Sequence, residues 1–370
     1  MHVRWLELSA FRNYASLSFA PDPGLNALIG PNGQGKTSLL EALHLLLTGR
    51  SFRTTRVAEC VAWDAPEAVV TGEVAEAEQR RQIRVTVLPR GGIEATGGPC
   101  PWARAVTFAA PDLELLTGAP AVRRAYLDGA AAKLAPAHAE ACRRYRLVLY
   151  QRGRLLGRLA GRADAERLLA PWDEQVAVVG SEIVHRRIET LEVLSQDTRE
   201  VWRALAPDGA DMALVYAPVV PPGESLAATR ERLLAALAAG RRAELQRGLT
   251  LAGPHRDDLV VRLGRVDARA YASRGEQRLL ALTLRLAEAA AIRRRLGAPP
   301  VLLLDDLLSE LDPVVRARVL AWLAGQGQVL FTTADSVAAA GAAGVAWDVR
   351  HGEVEALAAP RGAMVAGGVA

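Results

Sequence analysis

Two residue types are scarce in this 370-residue sequence, which has three cysteines and two lysines. Cys60, Cys100 and Cys142 are odd in number and far apart, which excludes a disulfide framework and the close ligand spacing of a zinc site. Because Lys36 and Lys133 are the only lysines, arginine carries nearly all of the positive charge, and the net charge is only +4. Guanidinium groups bind phosphate well, but genomic composition explains an arginine bias equally. Charge alone therefore does not indicate a nucleic-acid partner.

Long apolar segments are also missing. No run approaches the ~18 residues that a membrane-spanning helix needs. The first residues carry charges at Arg4, Glu7 and Arg12, where a signal peptide would be apolar. Half of the residues are hydrophobic, so the chain can bury a large core in one large or two closely joined domains. We therefore expect a soluble, cytoplasmic protein with no membrane partner.

The most informative segment is residues 30–37, Gly-Pro-Asn-Gly-Gln-Gly-Lys-Thr, which fills every fixed position of the phosphate-loop pattern G-x-x-x-x-G-K-[ST]. Its glycines let the backbone wrap a phosphate at the N-terminus of the following helix. Apolar residues 25–29 predict the preceding strand, and residues 38–48 predict the helix. Lys36 is predicted to neutralise phosphate charge and Thr37 to bind Mg²⁺. The predicted ATP ligands are Gly30, Pro31, Asn32, Gly33, Gln34, Gly35, Lys36, Thr37 and Ser38.

A second nucleotide-binding signal lies near the other end of the sequence. Residues 301–304 form an apolar run typical of a buried parallel strand, and Asp305 and Asp306 follow it directly. Such acids emerge at the edge of the sheet, beside the phosphate loop. Asp305 is predicted to hold Mg²⁺, and Asp306 to orient or deprotonate the attacking water. Asp306 and Lys36 are thus the predicted catalytic residues.

A third candidate element precedes a strongly predicted helix over residues 277–295. Ser273 and Gly275 lie immediately before this helix, where its N-terminus can present hydrogen-bond donors to an anion. We therefore predict a second phosphate-binding element at these two residues.

The hydrophobic periodicity of the sequence changes between these motifs. Residues 1–110 and 249–370 contain the nucleotide motifs and most of the β alternation, whereas helical periodicity dominates residues 111–248. An antiparallel sheet is predicted from strands over residues 68–74, 82–88 and 105–108, with turns at Gly91-Gly92 and Gly97-Gly98. We predict a split α/β domain, with an antiparallel β layer on a parallel or mixed phosphate-loop sheet. Residues 111–248 would form an inserted helical arm.

Two arginine-rich segments are candidates for DNA binding. Residues 143–162 hold seven arginines and no acidic residue, and six of these arginines share one arc of a helical wheel. Such a face binds a phosphate backbone or is simply solvated. For the basic loop 49–56, contact with nucleotide, contact with nucleic acid and a solvated loop all remain open. The candidate DNA-binding residues are Arg50, Arg53, Arg56, Arg143, Arg154 and Arg158.

The order of these motifs resembles the heads of ATP-binding-cassette (ABC) ATPases of the SMC and Rad50 kind, and more closely the RecF family of bacterial recombination mediators. The discriminating motifs are Phe11-Arg-Asn-Tyr14 and Gly253-Pro-His-Arg-Asp-Asp258, and the resemblance extends to about Gly352. Further matching motifs are Arg50–Thr54, Pro111–Leu113, Arg123-Arg124, Leu127-Asp128, Leu303–Asp306 and Ser309–Asp312. The resemblance implies that Arg12, Asn13 and Asp312 also bind the nucleotide.

The same resemblance implies a function. It implies an ATP-dependent DNA-binding protein of single-strand gap repair that works with RecO and RecR and indirectly with RecA. Single-stranded, double-stranded and gapped DNA are the implied substrates, and roles in DNA replication and the SOS response follow. The protein would form a homodimer on binding ATP, and ATP binding would be the switch of a weak, DNA-stimulated ATPase.

Three departures from the cassette pattern predict slow hydrolysis. Glu276 replaces a usual glutamine, Thr333 is assigned to the position of a switch histidine, and Asp112 is the nearest polar residue where a glutamine is usual. The sequence gives no role for His255. Two alternatives remain open, a cassette ATPase that acts on a partner other than DNA and an ATP-gated protein scaffold.

Overall fold

The computed structural model of the chain describes residues 1–96, 100, 102–335 and 344–357. Spatial contacts group the chain into two units: unit 1 comprises Met1–Ala110 with Gly297–Ala370, and unit 2 comprises Pro111–Leu296. The predicted arm ended at residue 248, so residues 249–296 fall in a different unit from the one expected.

The elements of each unit follow the chain. The strands are β1 (His2–Phe11), β2 (Tyr14–Phe19), β3 (Leu25–Ile29), β4 (Ala68–Glu76), β5 (Gln79–Val87), β6 (Ile93–Thr96), β7 (Ala105–Phe108), β8 (Met212–Ala217), β9 (Asp258–Leu263), β10 (Val266–Asp267), β11 (Val301–Leu304), β12 (Val329–Thr333), β13 (Val345–Arg350) and β14 (Glu353–Leu357). The helices are α1 (Lys36–Thr48), α2 (Glu114–Thr117), α3 (Pro120–Leu134), α4 (Ala137–Leu159), α5 (Ala165–Leu205), α6 (Leu226–Arg247), α7 (Ala268–Tyr271), α8 (Arg274–Leu296) and α9 (Pro313–Leu323). None of these described helices is long and apolar enough to cross a membrane.

Unit 1 contains an antiparallel sheet in the order β2-β1-β4-β5-β6. β1 and β2 form an antiparallel hairpin, with Leu8 opposite Leu17. The predicted turn at Gly91-Gly92 joins β5 to β6, and the one at Gly97-Gly98 lies outside the described residues. Alternation along β1 buries one face of the strand, as expected of a sheet with a single apolar side.

The second sheet of unit 1 carries the phosphate loop and has the order β14-β13-β3-β12-β11-β7. All neighbours are parallel except β13 and β14. The prediction that residues 105–108 belong to the antiparallel sheet was wrong, because β7 pairs in parallel with β11. Three of its four residues are buried, which is typical of a strand inside a parallel sheet. Both sheets and α1 contribute to one apolar core.

Unit 2 combines helices with an antiparallel sheet in the order β10-β9-β8. Its helix α5 contains 41 residues. Residues 111–248 are mainly helical, as predicted, but they also contain β8, which the sequence did not indicate. Leu214 of β8 faces Val261 of β9. This pairing, together with the packing of α8 against α5, explains why residues 249–296 belong to unit 2.

Candidate nucleotide-binding site

The phosphate loop, residues 30–37, joins β3 to α1 at the carboxyl edge of the parallel sheet. Gly35 has φ 112°, and an added Cβ would lie 2.5 Å from Asn13 Nδ2. At Gly30, a Cβ would overlap the carbonyl oxygen of Val349. Both positions therefore require glycine, for backbone conformation and for close packing.

Residues distant in sequence hold the loop in place. Asn13 Nδ2 donates to the Gln34 carbonyl oxygen at 3.2 Å, and the Tyr14 hydroxyl donates to the Gly35 carbonyl oxygen at 3.1 Å. From beyond β13, the backbone N–H of His351 donates to Gln34 Oε1 at 2.8 Å. Asn13, predicted as a nucleotide ligand, thus braces the loop in this structure.

Lys36 lies at the start of α1 and is almost buried. Its Nζ donates to the carbonyl oxygens of Gly30 at 2.5 Å and Pro31 at 2.7 Å. Burial lowers the pKa of Lys36, and the nearby charges of Asp305 and Asp306 partly oppose that shift. An ammonium group has three donors, so one remains for an anion in the loop.

Thr37 and Asp305 meet as the sequence predicts. Thr37 Oγ1 donates to Asp305 with distances of 2.8 and 3.0 Å to the two carboxylate oxygens. Thr332, which the sequence did not single out, donates its hydroxyl to Asp305 Oδ1 at 2.8 Å. Hydroxyl and carboxylate oxygens are the hard ligands that Mg²⁺ prefers, so these side chains fit that ion.

Asp306 follows with a left-handed backbone, at φ 49°. Its N–H donates to Thr332 Oγ1 at 2.7 Å, and its carboxylate accepts from Ser309 Oγ at 2.7 Å. A positive φ at a non-glycine residue costs about 1–3 kcal/mol and is found mostly where function requires it. The two acids thus face different partners, in line with the separate roles predicted for them.

Glu41 of α1 is a site residue that the sequence reasoning missed. Its buried carboxylate accepts from Arg12 Nε at 2.9 Å, from Arg12 Nη2 at 2.8 Å, from Ser51 Oγ at 2.5 Å and from Arg53 Nη1 at 3.2 Å. Burial alone would raise the pKa of Glu41, but the hydrogen bonds and charges of these partners outweigh it, and the pKa lies below its usual range. A single acid among the apolar residues of α1 was the available signal.

A cleft of about 1260 Å³ lies over the phosphate loop. It brings together most of the predicted nucleotide ligands with both acids and one loop arginine: Arg12, Asn13, Asn32, Gly33, Gly35, Lys36, Thr37, Ser38, Arg53, Asp305 and Asp306. Among the described residues, Gly30, Pro31, Gln34 and Asp312 do not line it. The Asp312 carboxylate instead accepts the N–H groups of Val314 and Val315 and caps α9.

Two other positions differ from the cassette-based expectation. Thr332 and Ala334 line the cleft, whereas Thr333 is buried and its hydroxyl accepts from the N–H of Asp335. Thr333, which the sequence assigned to the switch position, therefore lies outside the cleft lining. In unit 2, Asp112 forms an ion pair with Arg285 at 2.6 Å, so it supports the fold of that unit.

In unit 2, α8 begins at Arg274, three residues before the predicted start, so Ser273 directly precedes the helix and Gly275 lies in its first turn. Ser273 donates through its N–H and its hydroxyl to Glu276 Oε2, both at 2.8 Å, and the Glu276 N–H returns to Ser273 Oγ at 3.3 Å. This reciprocal pair is a capping box. It explains why glutamate is accommodated at position 276, and it leaves the start of the helix exposed to solvent.

The arginines of α4 fall into two groups. Arg152 is fully buried and bonds Glu244 at 2.6 Å and Asp173 at 2.9 Å, so it belongs to the core. The basic face of α4 is the exposed set Arg143, Arg144, Arg146, Arg154 and Arg158. The exposed Tyr150 lies under Arg154, with 5.9 Å between the guanidinium carbon and the ring centre. Arg143 also pairs with Glu140 at 2.5 Å.

The arginines of the basic loop after α1 also fall into two groups. Arg50, Arg53 and Arg56 are all exposed, but Arg53 also lines the cleft and pairs with Glu41. The sequence left open whether this loop contacts nucleotide, nucleic acid or only solvent. For Arg53, its position in the cleft lining favours contact with the nucleotide.

The motif Gly253–Asp258 is a packing centre of unit 2. Arg123 binds Asp258 through two bonds of 2.8 Å, and Arg187 binds the Pro254 carbonyl oxygen at 2.7 Å. Burial lowers the pKa of His255 to about 4. Its Nε2 lies 3.0 Å from the Thr250 carbonyl oxygen and its Nδ1 3.0 Å from the Tyr145 hydroxyl. A carbonyl only accepts, so Nε2 carries the proton and the neutral ring accepts from Tyr145.

Comparison with known proteins agrees with this geometry. Residues 2–350 match the family model of the RecF/RecN/SMC N-terminal domain. The DNA replication and repair protein RecF of Streptomyces avermitilis is 38% identical over 373 residues, covering 96% of this chain and 100% of that protein. The RecF of Heliobacterium modesticaldum is 37% identical over 345 residues, covering 90% of this chain and 92% of that protein.

Solved structures give the same result. One match is the structure of the recombination mediator protein RecF of the RecFOR pathway with ATP. It has a TM-score of 0.86 and 28% identity, and the match covers 96% of this chain and 98% of that one. The Smc head domain of Pyrococcus furiosus, at 18% identity, a TM-score of 0.55 and 96% coverage of both chains, shares the fold. The predicted ABC-ATPase head is confirmed, and the chain belongs to the RecF family of DNA replication and repair proteins.

Proposed function

We propose that this chain is an ATP-switched DNA-binding protein of recombinational single-strand gap repair. The observation that carries the proposal is the meeting of Lys36, Thr37, Asp305 and Asp306 at one cleft, in a chain that aligns with RecF proteins over nearly its whole length. A related structure contains ATP, which supports ATP as the nucleotide of this cleft.

The chain's own residues would divide the chemistry between them. The backbone N–H groups of the phosphate loop and the free donor of Lys36 would bind the phosphates. Thr37 and Asp305 would hold Mg²⁺, which offsets phosphate charge. Asp306 would orient the attacking water, with its carboxylate positioned by Ser309. No histidine was found among the described residues that line the cleft, which supports slow turnover with binding as the switch.

ATP is proposed to join two copies of the chain. The exposed start of α8 would bind, through Ser273 and Gly275, the γ-phosphate held by Lys36 of a second copy, and a two-fold axis would create two equivalent sites. ADP lacks that phosphate and should not support the dimer. In sedimentation, we expect dimers with ATP and monomers with ADP.

Ser273→Arg tests the trans contact. It should stay monomeric with ATP while still binding it, because the phosphate loop is untouched. Ser225→Arg is the matched control, since Ser225 caps α6 in a similar way and should leave the dimer intact. Normal ATP-dependent dimers of Ser273→Arg would contradict the trans role.

DNA is proposed to lie on the basic face of α4, with Arg50 and Arg56 of unit 1 as further candidates. The arginines that follow Glu140 on α4, with no further acidic residue up to Leu159, support phosphate contact, and Tyr150 offers a surface on which a base can stack. The RecFOR pathway named for the related structure supports RecO and RecR as partners. RecA is proposed as the protein that is finally loaded onto the DNA. A cytoplasmic location and a part in the SOS response fit this role.

The deciding experiment measures binding to gapped DNA at increasing salt, with and without ATP. We expect affinity to fall steeply with salt, because arginines that neutralise phosphates release counterions. ATP should strengthen binding in the wild type but not in Lys36→Ala, which loses a phosphate ligand. Salt-independent binding, or an ATP effect retained by Lys36→Ala, would refute the proposal.

A further inference from the structure

An unusually exposed tryptophan lies at the edge of the nucleotide cleft. Trp63 is 97% exposed, yet it lines the cleft whose other lining residues include the phosphate loop. A tryptophan buries about 150–250 Å² when it finds a partner, so leaving it in water forgoes a large apolar contact. Single exposed apolar residues are common, and position in a cleft is what distinguishes this one.

The segment that carries Trp63 is held firmly against the phosphate-loop side of unit 1. The Arg12 N–H donates to the Cys60 carbonyl oxygen at 2.8 Å, and the Ala62 N–H donates to the Ala10 carbonyl oxygen at 2.8 Å. Ala65 closes a turn back to Ala62 at 3.2 Å, with Trp63 at its tip. The indole is therefore mounted on a backbone that β1 fixes, while its ring remains uncovered.

The chemistry of the cleft changes along its lining. Lys36, Thr37 and the two acids provide charge for phosphates and a cation. The rim formed by Ala58, Val61, Ala62, Trp63 and Ala65 is mainly apolar, with Glu59 and Asp64 as its two charged members. A nucleoside triphosphate has the same polarity, with charged phosphates at one end and a flat heteroaromatic base at the other. Ligand clefts commonly measure about 300–1000 Å³, and this one is large enough for the whole molecule.

We propose that Trp63 stacks on the purine base of the nucleotide whose phosphates occupy the phosphate loop. The inference rests on the proposed ATP site and adds to it the residue that binds the base. Aromatic stacking tolerates any base with a π face, so Trp63 would strengthen binding of ATP and GTP alike. It would contribute nothing to a ligand that consists of phosphates alone.

Calorimetric titration with ATP and with inorganic tripolyphosphate tests this assignment. Trp63→Ala should weaken ATP binding about tenfold, the size typical of one lost stacking contact, and leave tripolyphosphate binding unchanged. Trp63→Phe keeps an aromatic ring and should retain ATP affinity within about threefold. Leu357→Ala, an exposed apolar residue of unit 1 outside the cleft lining, is the matched control and should bind ATP normally.

Fluorescence gives a second readout. ATP should quench the indole emission of the wild type by stacking, and Trp63→Phe should lose this quenching while it still binds ATP. Unchanged ATP affinity in Trp63→Ala, with or without a loss of dimers, would overturn the stacking role and leave the ATP site standing. Equal losses for ATP and tripolyphosphate would overturn it too. A wild type that binds no ATP would instead refute the proposed function itself.

Discussion

Replacing Glu41 by glutamine should loosen the link between α1, the β1-β2 hairpin and the basic loop. The Glu41 side chain is fully buried, and the side chains of Arg12 and Arg53 that it pairs with are 19% and 41% exposed. Glutamine keeps the size but removes the charge and one acceptor, so both guanidinium groups lose their counterion. The change therefore isolates the charge of one carboxylate.

The magnitude follows from burial. Breaking a fully buried ion pair by removing one partner costs about 3–5 kcal/mol, whereas exposed pairs contribute about 0–1 kcal/mol. Because both arginines keep contact with water, we expect Glu41→Gln to lower the free energy of unfolding by about 2 kcal/mol. ATP affinity should also fall, since Arg12 lines the cleft.

The effect should depend on pH in a defined direction. The pKa of Glu41 in the folded protein lies below its ordinary value of 4.5. The carboxylate therefore contributes its full stabilisation at pH values above 4.5. Its contribution is lost as the pH falls through the lower folded pKa. The difference between wild type and Glu41→Gln should thus be constant from about pH 6 to pH 8 and shrink below about pH 4.5.

Urea unfolding at several pH values measures this difference. Glu140→Gln is the control, because Glu140 pairs with Arg143 on the surface, where both side chains are more than half exposed. It should change stability by less than about 0.5 kcal/mol. If Glu41→Gln is equally harmless at pH 7 and binds ATP normally, the buried network does not stabilise the site.

Other substitutions test the remaining assignments. Asp306→Asn should bind ATP normally but lose turnover, whereas Asp305→Asn should also lose Mg²⁺-dependent binding, and equal phenotypes would contradict this division of roles. Reversing charge at Arg154 and Arg158 together should weaken binding to all DNA sequences about equally and flatten the dependence of DNA affinity on salt. If gel shifts show an unchanged salt dependence, the basic face of α4 is solvated and does not contact DNA. Burial lowers the pKa of His255 from 6.5 to about 4, so unfolding free energy should fall by up to about 3 kcal/mol as the pH drops between these values. His255→Gln should lack this component in urea titrations, and parallel curves would show that the ring does not titrate as expected.

The sequence predicted those parts of the molecule whose signal is local. The phosphate loop has a fixed spacing, and the strand before Asp305 is an apolar run, so both could be placed without knowledge of the fold. Helix α8 was also recognised from its local pattern, with a predicted start three residues later than the observed one. Local patterns failed for β8, because six residues between long helices give weak evidence for a strand whose partner, β9, lies far along the chain.

Residues that act through distant partners were also beyond the reach of pattern reasoning. Glu41 is recognisable only once Arg12 and Ser51 converge on it. Thr332 and Thr333 are indistinguishable as letters, and only the pleat of β12 decides which hydroxyl reaches Asp305. His255 shows the same limit in unit 2, since its tautomer follows from Tyr145 and Thr250 and its neutral state from burial.

The pairing of β3 has a consequence for how this chain is made. Its neighbours in the sheet are β12 and β13, and the contact between Asn26 and Val329 joins residues 303 positions apart. A ribosome that has finished the phosphate loop must therefore synthesise about 300 further residues before either flank of β3 can pair. Throughout that time a short, largely apolar strand is open on both edges, which invites pairing with other chains. Folding of unit 1 must also wait for closure of this very long loop, so the ATP site should be among the last parts of the protein to form.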